Sequence, residues 1–276
     1  MSILTDNPVF RREARSRLRH VKRSVKGQSA AAAALVVIIA LCYVVVFRTS
    51  ARYHIGGDEL WLASVWLQLM VGLAVLPAVA ATAICVERQQ GSLDLLLATP
   101  LTNAEIVLGK YLARMVLAGM MLAAAAPFEV VALCRGIEPG VAALSLLLLL
   151  LTLATAGAVA LMCSALFRMT ATAVGVAYSA VGVWVGGPYI AAAVLSAWAG
   201  WSPLGRPLRE AAEAVEALSP VRAMALVPEV FSPARLASYQ VPDGPSAGAW
   251  VLLCVVGAAL LGAFALRFTV AWVRRG

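Results

Sequence analysis

The sequence predicts an all-α integral membrane protein with six transmembrane helices, an N-terminal amphipathic interfacial helix, a short cytoplasmic helix and short outer-side helices before the last span. Three observations carry this prediction. Of the 276 residues, 62% are hydrophobic and 13% charged, against about 45–50% and about 25% in a soluble domain. Mean hydropathy is +0.88, and the apolar residues fall in long blocks with few charges, the length a helix needs to cross about 30 Å of hydrocarbon. Runs such as Leu144 to Leu151 do not alternate in polarity, which excludes the strands of about ten residues that build a membrane β-barrel.

Asn7 followed by Pro8 marks a helix start, because Asn caps free amides and Pro suits the first helical position. Phe10, Ala14, Leu18, Val21 and Val25 then form one apolar stripe, while Arg11, Arg12, Arg15, Arg17, Arg19, Lys22, Arg23 and Lys26 occupy the other faces. Residues 1–28 are therefore expected to lie on the cytoplasmic membrane surface, cations on anionic lipid headgroups. The membrane domain, 29–276, is expected to place spans at about 29–47, 60–86, 111–133, 141–167, 170–195 and 249–272. Pro77 lies in the second span and Pro127 and Glu129 in the third. Gly186, Gly187 and Pro188 are expected to interrupt the fifth.

Lys and Arg are retained on the cytoplasmic side of a membrane. With the N-terminus inside, inner segments hold 15 of the 22 basic residues and outer segments seven, so both termini are expected in the cytoplasm and the protein in the inner (cytoplasmic) membrane. The basic balance then reports topology rather than a nucleic-acid partner. In the outer segment, 198–248, Arg209, Glu210, Glu213 and Glu216 alternate with Leu208, Ala212, Val215 and Leu218. That pattern predicts one short amphipathic helix, and Ser219 with Pro220 opens a second that ends before Pro228.

The five cysteines have no CxxC spacing, and neither histidine, His20 or His54, sits in an apolar block. No metal site, disulfide frame or Ser/His catalytic site is expected. Glu129 is the clearest acid within a span, and a charge at the bilayer centre costs about 2.5–3.5 kcal/mol on insertion scales, so it is a gating or substrate candidate weighed against an interfacial structural carboxylate. Pro77, Pro127 and the Gly186-Gly187-Pro188 break are candidate hinges. Gly182 with Gly186 forms a GxxxG pair suited to close packing within or between subunits, and the tryptophans gather toward span ends as an interfacial belt.

Between the second and third spans, 87–110, the punctuation is dense. Gly91 ends one helix, Ser92 can cap a short one over Leu93 to Leu97, Pro100 ends that, and Thr102 with Glu105 makes a capping box for the next. Leu93, Leu96 and Leu97 would form an apolar knob that water disfavours unless a partner covers it. Here the chain resembles the ABC-2 type transporter permeases, whose loop reads approximately E-R-x-x-G-[ST]-L-[DE]-L-L-L-x-[TS]-P-[LV]-[ST]-x-x-[ED]-I-[VL]-x-G-K, nearly position by position from Glu87 to Lys110. The basic N-terminal helix, six spans and long outer segment are similar to the family as well.

The resemblance implies the membrane subunit of an ATP-driven exporter, its Ser92 to Leu97 helix docked in a cleft of a separate ATPase. It implies a homo- or heterodimer of permeases above two ATPase copies, with Mg-ATP held by the ATPase and no cofactor on this chain. Carried onto this sequence, the ATPase-coupling segment is Glu87, Arg88, Gly91, Ser92, Leu93, Asp94, Leu96, Thr99 and Pro100. The implied substrates range over polysaccharides, lipids, drugs and peptides. A P-loop reads GxxxxGK[ST]. Gly109-Lys110 is followed by Tyr111 and has Ala104 where the first glycine belongs, so ATP hydrolysis is expected on a partner. Two other readings compete. One is an ATP-driven scaffold acting on an envelope protein through the outer segment. The other is an ion-coupled carrier, which needs midplane acids and often an internal repeat, and the sequence offers neither.

Overall fold

A computed structural model of the chain describes residues 41, 44, 45, 48, 57–93, 100–201, 205–216, 218–231 and 247–273. Among these, the elements are α1 (Gly57–Ala81), α2 (Cys85–Gln89), α3 (Asn103–Cys134), α4 (Pro139–Leu166), α5 (Thr170–Ala199), α6 (Gly205–Glu216), α7 (Pro220–Phe231) and α8 (Ala247–Trp272). No strand occurs among the described residues. Five helical stretches are long and apolar enough to cross a membrane, at Leu60–Gln89, Asn103–Pro127, Pro139–Leu166, Thr170–Ala199 and Gly248–Trp272. The expected interfacial helix at 1–28 and nearly all of the expected first span lie outside the described residues. Leu41, Val44, Val45 and Arg48, which are described, are helical.

α4 is the hub. At 28 residues it is about 42 Å long, and it packs against α1, α3, α5, α7 and α8. Lipid tails are as apolar as leucine, so close van der Waals fit rather than water exclusion holds such helices together. The sequence supplies that fit with small residues at crossings. Gly72 of α1 lies where any Cβ would collide with the Leu153 side chain, and a Cβ on Gly157 would meet Met115 Cε at 2.8 Å. Ser145, Thr152 and Thr155 hide their hydroxyls by donating to the carbonyls of Val141, Leu148 and Leu151 one turn back, at 2.6, 2.7 and 2.9 Å. Thr155 Oγ1 also reaches the Ala258 carbonyl of α8 at 3.1 Å, a polar stitch across the bundle.

α3 begins as expected. The Thr102 hydroxyl accepts from the Glu105 amide at 3.3 Å, and the Glu105 carboxylate accepts from the Thr102 amide at 2.8 Å. α6 and α7 correspond to the two expected short helices. α6 is amphipathic, buries Ala212 and packs on α5. α7 sends Ala223, Met224 and Val227 into the cluster that holds Leu148, Leu149, Val251 and Cys254.

The second expected span, 60–86, corresponds to the stretch Leu60–Gln89, within which α1 ends at Ala81 and a turn covers 82–84. Two expectations are corrected. α7 passes through Pro228 to Phe231, since a helix of this length loses only one amide bond there. α5 is one continuous helix of 30 residues through Gly186, Gly187 and Pro188, where an interruption was expected.

Candidate functional site

The segment between α1 and α3 is built on the end of α4. α1 closes at Ala81, a turn covers 82–84, and α2 follows. The turn exists because a side chain enters the helical ladder, a known cause of kinks: Ser164 Oγ of α4 accepts from the amides of Ile84 at 2.8 Å and Cys85 at 3.1 Å. The last carbonyls of α4 lack helical donors, and α2 provides them. Cys85 Sγ donates to the carbonyls of Ser164 and Phe167 at 3.0 and 2.8 Å, Arg88 Nη1 to that of Ala165 at 3.2 Å, and Gln89 Nε2 to that of Arg168 at 3.0 Å. A cation at a helix C-terminus also suits the helix dipole. α2 is thus the C-terminal cap of α4.

Glu87 faces the other way, to α3. Its Oε1 accepts from Lys110 Nζ at 2.5 Å, and Lys110 has no exposed surface. Lys110 Nζ also donates to the Ala83 carbonyl at 3.4 Å, and Arg114 Nη1 donates to the Lys110 carbonyl at 2.9 Å. Glu87 Oε2 and Arg88 Nε and Nη2 are buried without a hydrogen-bond partner among the described residues.

Gly91, at φ +67, adopts the left-handed conformation that ends α2, as its position predicts. Ser92 is itself helical, and its hydroxyl donates back to the Glu87 carbonyl at 3.3 Å, while the rest of the short helix it was expected to cap lies outside the described residues. Leu93 is corrected: expected on an exposed knob, it is 5% exposed and packs with Ala83, Ile84, Val107, Leu161, Ala165 and Val273. An apolar side chain at the mouth of the bundle gains more from that cluster than from water. Asp94, Leu96 and Thr99 lie outside the described residues. Pro100 is exposed just before the Thr102 cap.

The candidate hinges at Pro77 and Pro188 are braced rather than open. A helical proline strips the carbonyl four residues back of its donor and crowds the neighbouring bond, and hydroxyls from other helices commonly take up the slack in membranes. For Pro77, the Tyr178 hydroxyl of α5 donates to the Ala74 carbonyl, three residues before the proline. For Pro188, the Ser219 hydroxyl at the start of α7 donates at 2.7 Å to the Val185 carbonyl, again three residues before. Among the described residues Gly182 and Gly186 make no close helix crossing, since a Cβ on either would meet nothing within 4 Å. Glu129 accepts from Gln68 Nε2 of α1 at 2.7 Å, and α3 runs on past Pro127 to Cys134. No group of three His, Cys, Asp or Glu able to hold a metal occurs among the described residues.

The contacts of Ser164, Tyr178 and Gln68 were not legible in the sequence, nor was the brace that Ser219 gives Val185 besides opening α7, because each serves a group 34 to 104 residues away.

No curated protein matches the chain. A family model described as "ABC-2 family transporter protein" does match, over residues 67–274. The match begins within α1 and ends beyond α8, and so takes in the segment braced on α4, the proline-bearing spans and both short helices. With several apolar helices of spanning length arranged around α4, the chain is a multi-pass membrane protein and belongs to the ABC-2 family, as a permease subunit of an ABC transporter that works with an ABC ATPase.

Proposed function

We propose that the chain is the permease of an exporter in which the 92–97 segment docks on a separate ATPase and α2 relays the resulting motion into the bundle. The bracing of α2 carries this reading: Ser164 holds the Ile84 and Cys85 amides, and Glu87 holds Lys110 at 2.5 Å. A push on the 92–97 segment reaches Leu93 and α2 first, then α4 through the shared carbonyls of Ser164, Ala165, Phe167 and Arg168, and α3 through Lys110. Glu87 and Arg88 are positioning residues turned into the permease, which leaves Leu96 and Leu97 as the apolar contact for the ATPase. In this reading six spans cross the inner membrane with both termini in the cytoplasm. Two permeases stand above two ATPases, and the ATPases hold Mg-ATP.

The test is to extract the chain from native membranes in mild detergent, identify what accompanies it and assay ATP hydrolysis. A stoichiometric Walker-motif protein with activity is expected. Leu96→Asp is expected to release that protein while the permease keeps its thermal midpoint. Unchanged association in Leu96→Asp would overturn the docking role, and a chain that emerges alone and inactive would favour the ion-coupled carrier.

A further inference from the structure

A groove of about 400 Å³ runs along the outside of the bundle between α3 and α4, lined by Ala123, Ala126 and Glu129 on one side and Leu146, Leu147 and Leu150 on the other. Its rim is exposed, Leu147 by 54% and Leu150 by 53%. Glu129 is the one ionisable group among the described residues of this apolar wall, and it lies five residues before the end of α3 at Cys134, about 7–8 Å along the axis. Carboxylates in such surroundings are held by partners or serve ligands. Among the described residues Glu129 has one neutral donor, Gln68 Nε2 at 2.7 Å, and no Lys or Arg pairs with it.

Gln68, which holds Glu129, lies behind the groove rather than in its lining. Gln68 is 7% exposed, and its Oε1 is buried with no hydrogen-bond partner among the described residues. Pro127 strips the Ala123 carbonyl of its helical donor, and Ala123 lines the groove. The charged group of the groove is a carboxylate, an acceptor only, so a complementary head carries N–H donors and positive charge, and a complementary body is apolar. We propose that this groove binds a membrane amphiphile with a primary ammonium head, its charge on Glu129 and its chain along Leu146, Leu147 and Leu150. Gln68 positions the Glu129 carboxylate and keeps it facing the groove. The site requires that the chain lie in a membrane, and it stands apart from any coupling to an ATPase.

The full chain in phosphatidylcholine nanodiscs, a lipid without N–H donors in its head, is photolabelled with a diazirine-bearing long-chain primary amine and with the matching sulfonate. Crosslinks are expected on peptides containing 122–129 and 146–150, with the amine favoured over the sulfonate by about tenfold, the worth of one charge-assisted hydrogen bond. Glu129→Gln should erase that preference. Leu147→Trp, which leaves Glu129 and Gln68 untouched and fills the groove, should cut labelling by the amine while the thermal midpoint holds. Equal labelling by amine and sulfonate, crosslinks elsewhere, or undiminished labelling in Leu147→Trp would each overturn the site. Should Glu129→Gln fail to fold, the amine-to-sulfonate ratio and Leu147→Trp decide. ATPase co-purification is read separately, so failure here leaves the permease assignment standing.

Discussion

Lys110, with no exposed surface, places its ammonium 2.5 Å from a carboxylate oxygen of Glu87, which is 26% exposed. The partners therefore differ in what each would lose alone. Removing one member of a buried pair costs about 3–5 kcal/mol, because the other charge stays behind unpaired, and the penalty is larger for the more deeply buried survivor. Glu87→Gln leaves the fully buried ammonium without its counter-charge, whereas Lys110→Met leaves without one a carboxylate that water can partly reach. Glu87→Gln is expected to lower the thermal midpoint in detergent more than Lys110→Met, and the double variant to recover part of the loss. Equal effects of the two single variants would refute this ordering.

Ser164→Ala would take from the Ile84 and Cys85 amides the acceptor that shapes the turn between α1 and α2. Leaving buried donors unsatisfied costs about 1–3 kcal/mol. If α2 relays motion, the larger effect falls on function: the ATPase still associates, but ATP hydrolysis uncouples from transport. A variant with lower stability and an unchanged ratio of transport to hydrolysis would reduce Ser164 to a structural cap.

Tyr178→Phe and Ser219→Ala would each remove one hydroxyl beside a proline. Each is expected to cost about 0.5–1.5 kcal/mol and to speed amide exchange around 73–78 and 184–189 respectively. The cost of Tyr178→Phe should shrink when Pro77 is replaced by Ala, because an uninterrupted ladder leaves the hydroxyl less to do. Additive effects of those two substitutions would remove the link between brace and proline.

Two glycines separate packing from open space. Gly72→Ala drives a methyl group into Leu153, and overpacking of this kind costs about 1–3 kcal/mol. Gly182→Ala meets nothing within 4 Å among the described residues and should leave the stability of the single chain unchanged, or raise it slightly through helix propensity. Thermal midpoints of the two variants in detergent check the contrast.

Local features were legible in the sequence and distant ones were not. The Thr102–Glu105 capping box and the left-handed Gly91 follow from residues three or fewer positions from the feature they set, so pattern alone locates them. The apolar blocks likewise foretold the stretches from α1 to α8, because span length is fixed by bilayer thickness. The continuity of α5 was not legible. A Gly-Gly-Pro run breaks helices in water, but in a bundle the Ser219 hydroxyl supports the adjacent Val185 carbonyl and keeps the helix whole. Leu93 was misjudged for a related reason: the residues that cover it, Leu161 and Val273 among them, arrive from far along the chain.

The sharing of α4's terminal carbonyls with α2 also sets an order of events during biosynthesis. Glu87 and Lys110 are 23 residues apart and can pair soon after α3 is made, whereas Ile84 and its acceptor Ser164 are 80 apart. At about 5–20 residues per second of synthesis, that acceptor reaches the ribosome's exit roughly 4–16 s after Ile84. Once α3 is made, the Glu87–Lys110 pair is available to tether α2 to it, while the donors of α2 toward α4 still await their acceptors. The half-made chain therefore holds a template, and the arrival of Ser164, Ala165, Phe167 and Arg168 closes the bundle in a defined register.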